Sequence, residues 1–250
     1  MGTESKTQRL DKLLEISSNC RACSLYATRT KHVFGDGSPE APIVFIGEAP
    51  GEQEDKSGIP FVGRSGKLLR GLIQAIGLDP VKDCYIVNVV KDRPPKNRTP
   101  ELSEIEKCSK FLKKQLEIIG PRILVLLGRT AVKALLPDNA TASMGYLRDK
   151  SKNLGYLSYE SVPVLVTYHP SALFRNPAWK AGAKEDFSFL QTLILDLYGK
   201  SRHGHASGYV PPEQLPGSPG LGLHGGKGGG ASGTADRLPE LIPENESLPA

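Results

Sequence analysis

Three short segments of this 250-residue chain carry side chains able to recognise and act on a planar ligand. Gly47-Glu48-Ala49-Pro50-Gly51 leads into Glu52-Gln53-Glu54-Asp55, and Pro60-Phe61-Val62-Gly63 follows. Asn88 lies towards the end of an apolar run, and His169-Pro170-Ser171-Ala172-Leu173 follows another. A carboxylate, an aromatic ring, an amide and an imidazole can together stack on a flat ring and hydrogen-bond its edge. Each has a plainer role: a His before Pro is commonly a turn residue, a Phe after Pro usually packs, and Glu and Gln in a Gly-rich loop are usually solvated. Asn88 is harder to dismiss, because a buried amide without partners costs about 1–3 kcal/mol. Their convergence weighs more than any single residue. Gly66-Lys67 imitates the end of a phosphate-binding loop. That motif needs Gly at 61 and Ser or Thr at 68, where this chain has Phe61 and Leu68.

The cysteines form a second group. Cys20-Arg21-Ala22-Cys23 has the spacing of a metal-ligand pair, while Cys84 and Cys108 stand far along the chain. In an intracellular protein, four cysteines point to metal rather than to disulfides. A second C-x-x-C is missing, which argues against a zinc ribbon. Thiolates drawn from separate segments suit an iron–sulfur cluster. The plainer reading makes Cys84 and Cys108 small core residues. Spacing alone leaves iron–sulfur, zinc and no metal all open.

The elements that must position these residues alternate. Apolar runs fit buried strands at Ile43–Ile46, Tyr85–Val90, Ile123–Leu127 and Val162–Thr167. Helical patterns lie between them. Lys67–Ile76 carries Leu68, Leu69, Leu72 and Ile73 on one face, with Gly77 as a stop. Thr99-Pro100 reads as N-cap and first turn of a helix running to Pro121, Thr130–Leu136 follows Gly128, and Phe187–Tyr198 closes the domain. The fold class is therefore α/β: a three-layer α/β/α sandwich around a central, mostly parallel four-stranded sheet. In such sheets ligands bind beyond the carboxyl ends of the strands, where the three chemical segments fall.

Residues 1–200 form one domain in this reading. Residues 201–250 read as a disordered tail, since Gly and Pro fill 18 of the 50 positions and such a stretch cannot offset its ordering entropy. A short apolar patch, Leu238–Ile242, offers a docking segment for a repair or replication partner, although plain linker is the simpler reading. The tail holds three basic and five acidic side chains, so the net +5 of the whole chain becomes +7 over residues 1–200. A basic domain suits a polyanionic partner, but only as a weak hint. No apolar run approaches the roughly 18 residues of a membrane span. The polar start MGTESKTQRLDK lacks the apolar core of a signal peptide. The expectation is a soluble, cytoplasmic, monomeric protein with no membrane partner.

Taken in order and spacing, these motifs resemble the family 4, iron–sulfur uracil-DNA glycosylases over roughly residues 15–198. The resemblance rests on Gly47-Glu48-Ala49-Pro50-Gly51 with Glu54-Asp55, Gly58-Ile59-Pro60-Phe61-Val62-Gly63, Asn88, Arg93-Pro94-Pro95-Lys96-Asn97-Arg98 and His169-Pro170-Ser171. It implies excision of uracil from DNA at the start of base excision repair, at the nucleoid. It also implies roles. Phe61 stacks on the flipped uracil, with Ala49 beside it, and the Asn88 amide reads the Watson–Crick edge. His169 donates to the uracil oxygen where negative charge builds, and Glu48 orients the attacking water or stabilises the cationic sugar. Ser171, Leu173 and Arg175 meet DNA: Leu173 is the wedge that fills the gap left by the base, and Arg175 holds phosphate with Lys180.

The metal pattern departs from the family. A [4Fe–4S] cluster would take Cys20, Cys23 and Cys108, but the position before Arg93-Pro94-Pro95 is Asp92 where the family has Cys. Either Asp92 ligates iron through oxygen, which position favours, or Cys84 substitutes, or the cluster is labile or absent. Two competing functions accompany the leading one. A non-catalytic DNA- or base-binding protein of the same fold has no need to keep Glu48, Phe61, Asn88 and His169 together. A relative that traps the uracil site covalently resembles this family but carries an extra basic loop after the second strand, and here Lys91–Thr99 is short.

Overall fold

A computed structural model describes residues 4–198. The tail expected at 201–250, and with it the domain edge at 200, lies outside the described residues. The chain runs through α1 (Lys6–Ser18), β1 (Asp36–Gly37), β2 (Ile43–Gly47), α2 (Glu52–Ser57), α3 (Arg64–Ala75), β3 (Cys84–Asn88), α4 (Leu102–Ile119) and β4 (Ile123–Leu127). It continues with α5 (Arg129–Leu135), α6 (Met144–Ser151), β5 (Ser158–Tyr159), β6 (Val162–Thr167), α7 (Pro170–Arg175) and α8 (Trp179–Tyr198).

One sheet joins the strands in the order β1-β3-β2-β4-β6-β5. The four strands expected from apolar runs are its parallel centre, β3-β2-β4-β6. The sheet nevertheless has six strands among the described residues, not four, because β1 and β5 add antiparallel edges. Each edge strand is two residues long, Asp36–Gly37 and Ser158–Tyr159, too short to show an alternating or apolar run. Every residue of β2, β3 and β4 is buried, as expected when helices cover both faces of a parallel sheet.

Alternation along β2 separates two cores. Val44 and Ile46 pack with Leu10 and Leu13 of α1, Leu112 and Leu116 of α4, Val132 of α5 and Leu147 of α6. Ile43 and Phe45 point the other way, to Leu69 and Ile73 of α3 and Phe187 and Leu190 of α8. These are the outer layers of the sandwich, one on each face of the pleat.

Helix ends moved from their expected places for local reasons. Helix α3 begins at Arg64, because Gly63 in extended backbone serves as its cap. In α4 the cap is Glu101 rather than Thr99, since the Glu104 side chain turns back to accept the Glu101 N–H at 2.8 Å. Helix α5 starts one residue early at Arg129, after Gly128 with φ of 84°. Helix α8 starts eight residues before the expected Phe187.

Candidate active site

The central strands deliver their C-terminal loops to one cavity of about 530 Å³. Glu48, Phe61, Asn88 and His169 all line it, as do Ala49 and Ser171. Residues from the ends of β2, β3 and β6 therefore meet as the sequence pattern predicts.

Asn88 closes β3 and is 2% exposed. Its Oδ1 is buried with no hydrogen-bond partner in the protein. Such an orphan acceptor costs stability and is uncommon unless a ligand completes it. Gly47 opposite makes room, since a Cβ there would lie 2.4 Å from the Phe61 ring and 2.5 Å from Asn88 Oδ1. Ring, amide and bare backbone thus pack edge to edge. The Phe61 ring centroid is 5.8 Å from that of His169 at a 40° tilt.

His169 is the N-cap of α7. Its Nδ1 accepts the Ser171 N–H at 3.2 Å and lies 2.8 Å from Ser171 Oγ. An Nδ1 that accepts from the backbone carries no proton, so the neutral ring holds its proton on Nε2 and donates from there. Burial, and then the Arg175 charge, push the imidazole down to about 4. The ring is therefore uncharged at neutral pH. The Glu48 carboxylate is fixed at one oxygen, where Oε2 accepts from Thr130 Oγ1 at 2.5 Å.

The residues assigned to DNA separate. Ser171 and Arg175 line the cavity, and Arg175 is exposed. Lys180 is half-buried at the start of α8. Leu173 is a correction. It is 1% exposed and packs into the core that holds Phe187 and Leu190, so it cannot enter a duplex without unpacking the domain. In α7 Leu173 lies three residues from the buried Pro170 and turns inward with it to anchor this short helix, while Ala172 and Arg175 line the cavity.

Three cysteines gather elsewhere. Cys20, Cys23 and Cys108 are half-buried against the apolar layer of α1 and α4. The Lys91 N–H donates to Cys108 Sγ at 3.3 Å. Burial pushes the Cys108 thiol up to about 11 and raises that of Cys23, with the Asp92 charge adding to both shifts. Asp92 is thus near these sulfurs, yet its carboxylate is engaged: Oδ2 accepts from Arg29 at 3.0 Å and Oδ1 lies 2.8 Å from His32 Nδ1. Cys84 is removed as an alternative ligand. It is fully buried in the other core, with Ile43, Leu69 and Ile73, across the sheet from the three thiols. Among the described residues, no three or more His, Cys, Asp or Glu side chains are grouped so as to hold a metal ion.

Residues 34–192 match the family model described as the Uracil DNA glycosylase superfamily. A type-4 uracil-DNA glycosylase of Archaeoglobus fulgidus is 40% identical over 197 residues, spanning 78% of this chain and 96% of the relative. Those of Sulfurisphaera tokodaii and Thermotoga maritima are 43% and 44% identical, covering 74% and 66% of this chain and 85% of each relative. The chain belongs to the type-4 uracil-DNA glycosylase family.

Within this family member, three supporting residues escape a reading of the sequence alone. Glu54, expected to be solvated, is 9% exposed and accepts three backbone N–H groups, from Val62 at 2.9 Å, Gly63 at 2.7 Å and Gly51 at 3.1 Å. It ties the loop after β2 to the loop that carries Phe61. Arg70 of α3 grips that loop from behind, donating to the carbonyls of Phe61 and Pro60, both at 3.1 Å, while pairing with Asp36 at 2.6 Å. Phe61 needs this support because its φ is 55°, a left-handed conformation unfavourable for a residue with a side chain. Thr130, which fixes Glu48, is the third. Apart from the Gly51 contact of Glu54, three residues away, the partners that give these residues their supporting role lie 8 to 82 positions away.

Proposed function

We propose that the chain is a uracil-DNA glycosylase in which Glu48, Phe61, Asn88 and His169 carry out recognition and hydrolysis, with Ala49 in the wall of the base pocket. The observation that carries this assignment is the orphaned Oδ1 of Asn88, a residue that lines the same cavity as the neutral His169. An acceptor and a donor fixed in this way match the imide N–H and a carbonyl oxygen of uracil. Cytosine presents no N–H at that ring position, so its unprotonated nitrogen would meet an acceptor and bind poorly.

The steps follow from placement. A uracil turned out of the helix costs a few kcal/mol to unstack, and the cavity restores contacts by stacking it against Phe61. As the C1′–N1 bond breaks, its electron pair leaves with the base and negative charge spreads to the carbonyl oxygen beside N1. The His169 Nε2–H donates to that oxygen, and a donor placed in this way typically contributes about 3–4 kcal/mol. A neutral donor keeps the leaving anion stabilised without a full proton transfer. The Glu48 carboxylate, held by Thr130, faces the cationic sugar and orients water for attack on C1′, as carboxylates do in glycoside hydrolysis. The hydroxyl ends on the sugar and the remaining proton leaves on uracil or to solvent. Ser171 and Arg175 are assigned to the DNA backbone beside the site.

The donors available for the implied iron–sulfur cluster fit it only in part. Cys20, Cys23 and Cys108 supply three thiols on one side of the sheet, although they are not grouped as a metal site, and the fourth position does not fit, because Asp92 is committed to Arg29 and His32. The region lies apart from the cavity wall, and no catalytic step runs through it.

A single-stranded oligonucleotide with one uracil, treated with alkali after incubation, tests the assignment. Wild-type protein should produce uracil-dependent cleavage, and Glu48→Ala and His169→Ala should each abolish most of it. Wild-type rates in both variants would overturn the roles of Glu48 and His169.

A further inference from the structure

We propose that Tyr168 and Trp179 form a stacking platform for a nucleobase adjoining the excised one, a proposal that rests on the cavity taking a flipped uracil. Both residues line the cavity, and Tyr168 directly precedes His169. Their rings are parallel, with centroids 4.7 Å apart and 6° between planes. The Arg148 guanidinium carbon lies 4.4 Å from the Tyr168 centroid. Arg148 and Trp179 thus both pack against the Tyr168 ring.

The stack is built on a rigid base. Arg148 is buried and reaches Asp186 through Nε at 2.6 Å and a terminal nitrogen at 2.9 Å. It also donates to the Gly182 carbonyl at 2.6 Å and to the Tyr168 hydroxyl at 3.3 Å. Asp186 is fully buried and further held by Thr167 at 2.7 Å. Gly182 is required, because a Cβ there would lie 2.6 Å from the guanidinium. Trp179 is 40% exposed, with Tyr168 against one face. Its exposure therefore comes from the other face and edge. A large ring held rigidly and left open on a ligand cavity, with Arg129 and Arg175 also in the wall, suits a base on a polyanionic strand. The occupant must be unstacked from its own neighbour, so the platform favours single-stranded or locally opened DNA.

Trp179 is the single tryptophan of the chain, so fluorescence of the full-length protein reports this site alone. Uracil-free single-stranded DNA should quench it. Excision is then measured on uracil oligonucleotides in which the 5′ or the 3′ neighbour is intact or lacks its base. Loss of one stacked base is expected to raise KM roughly 10-fold, as should Trp179→Leu. The two losses should not add, and Trp179→Phe should recover most of the effect, with thermal melts confirming that both variants fold. Additive losses at both neighbours, or an unchanged KM for Trp179→Leu, would overturn the platform. A wild-type protein that is quenched by DNA but releases no uracil would instead refute the excision reading and leave the platform standing.

Discussion

Replacing Glu54 by Gln tests whether the loop bearing Phe61 is held by one buried carboxylate. Oε1 accepts from Val62 and Gly63 and Oε2 from Gly51. A glutamine keeps one acceptor, so its amino group must face a backbone N–H, donor against donor. Losing one hydrogen bond to a charged group costs about 1.5–3 kcal/mol. The two that remain lose their charge assistance, which brings the total to about 3–4 kcal/mol. At about 2–4 °C per kcal/mol for a domain of this size, the melting temperature should fall by about 6–16 °C. Activity should fall further than stability alone explains. Released from Glu54, Phe61 can leave its left-handed conformation, which stores about 1–3 kcal/mol, and its ring would no longer wall the pocket. Excision at a temperature where the variant is fully folded should drop at least about tenfold, equivalent to about 1.4 kcal/mol of lost transition-state stabilisation. Calorimetry and single-turnover excision on a uracil oligonucleotide read the two effects. A variant that melts within about 2 °C of wild type and excises at the wild-type rate would refute the reasoning.

Thr130→Val removes the hydroxyl that fixes Glu48 without changing side-chain shape, and should lower kcat about tenfold with Thr130→Ser restoring it; equal kcat in Val and Ser variants would remove Thr130 from the mechanism. For His169, the folded-state value near 4 lies below the usual 6.5, so the unfolded chain binds the extra proton between these values. Its contribution to stability is therefore complete above about pH 6.5 and is lost as pH falls towards 4. Excision should show no ionisation of this ring between about pH 5 and 8, and an NMR titration placing His169 near 6.5 would contradict the neutral state that burial imposes on it. Asp92→Cys supplies a fourth thiol beside Cys20, Cys23 and Cys108. Iron and acid-labile sulfide per folded chain should rise above wild type; a full complement of about four irons in the wild-type protein would refute the need for a fourth thiol.

The four parallel strands and the residues at their ends could be read from the chain because the signal is local. A strand buried on both faces must be continuously apolar, as Ile43–Ile46 and Ile123–Leu127 are and as Val164–Val166 are within the last strand. Glu48, Asn88 and His169 stood out because each is a chemical group near the end of such a run or just beyond it, where parallel sheets place their ligands, and Phe61 because it sits in the Pro60-Phe61-Val62-Gly63 segment that follows the first of these loops. Tertiary structure decided the rest, through partners distant in sequence. Whether Glu54 is solvated or buried depends on Val62 and Gly63 folding back onto it. Leu173 reads equally well as a DNA wedge or a core residue until α7 turns it inward. Cys84 and Cys108 look alike as thiols, and only the pleat of β3 puts Cys84 on the face away from the other three. Asp92 stands in the position of a ligand, but Arg29 and His32, 63 and 60 residues away, claim its oxygens. Local pattern determines which segments become strands and helices. Burial and partnership arise only when those segments pack, and they decide what each side chain can do.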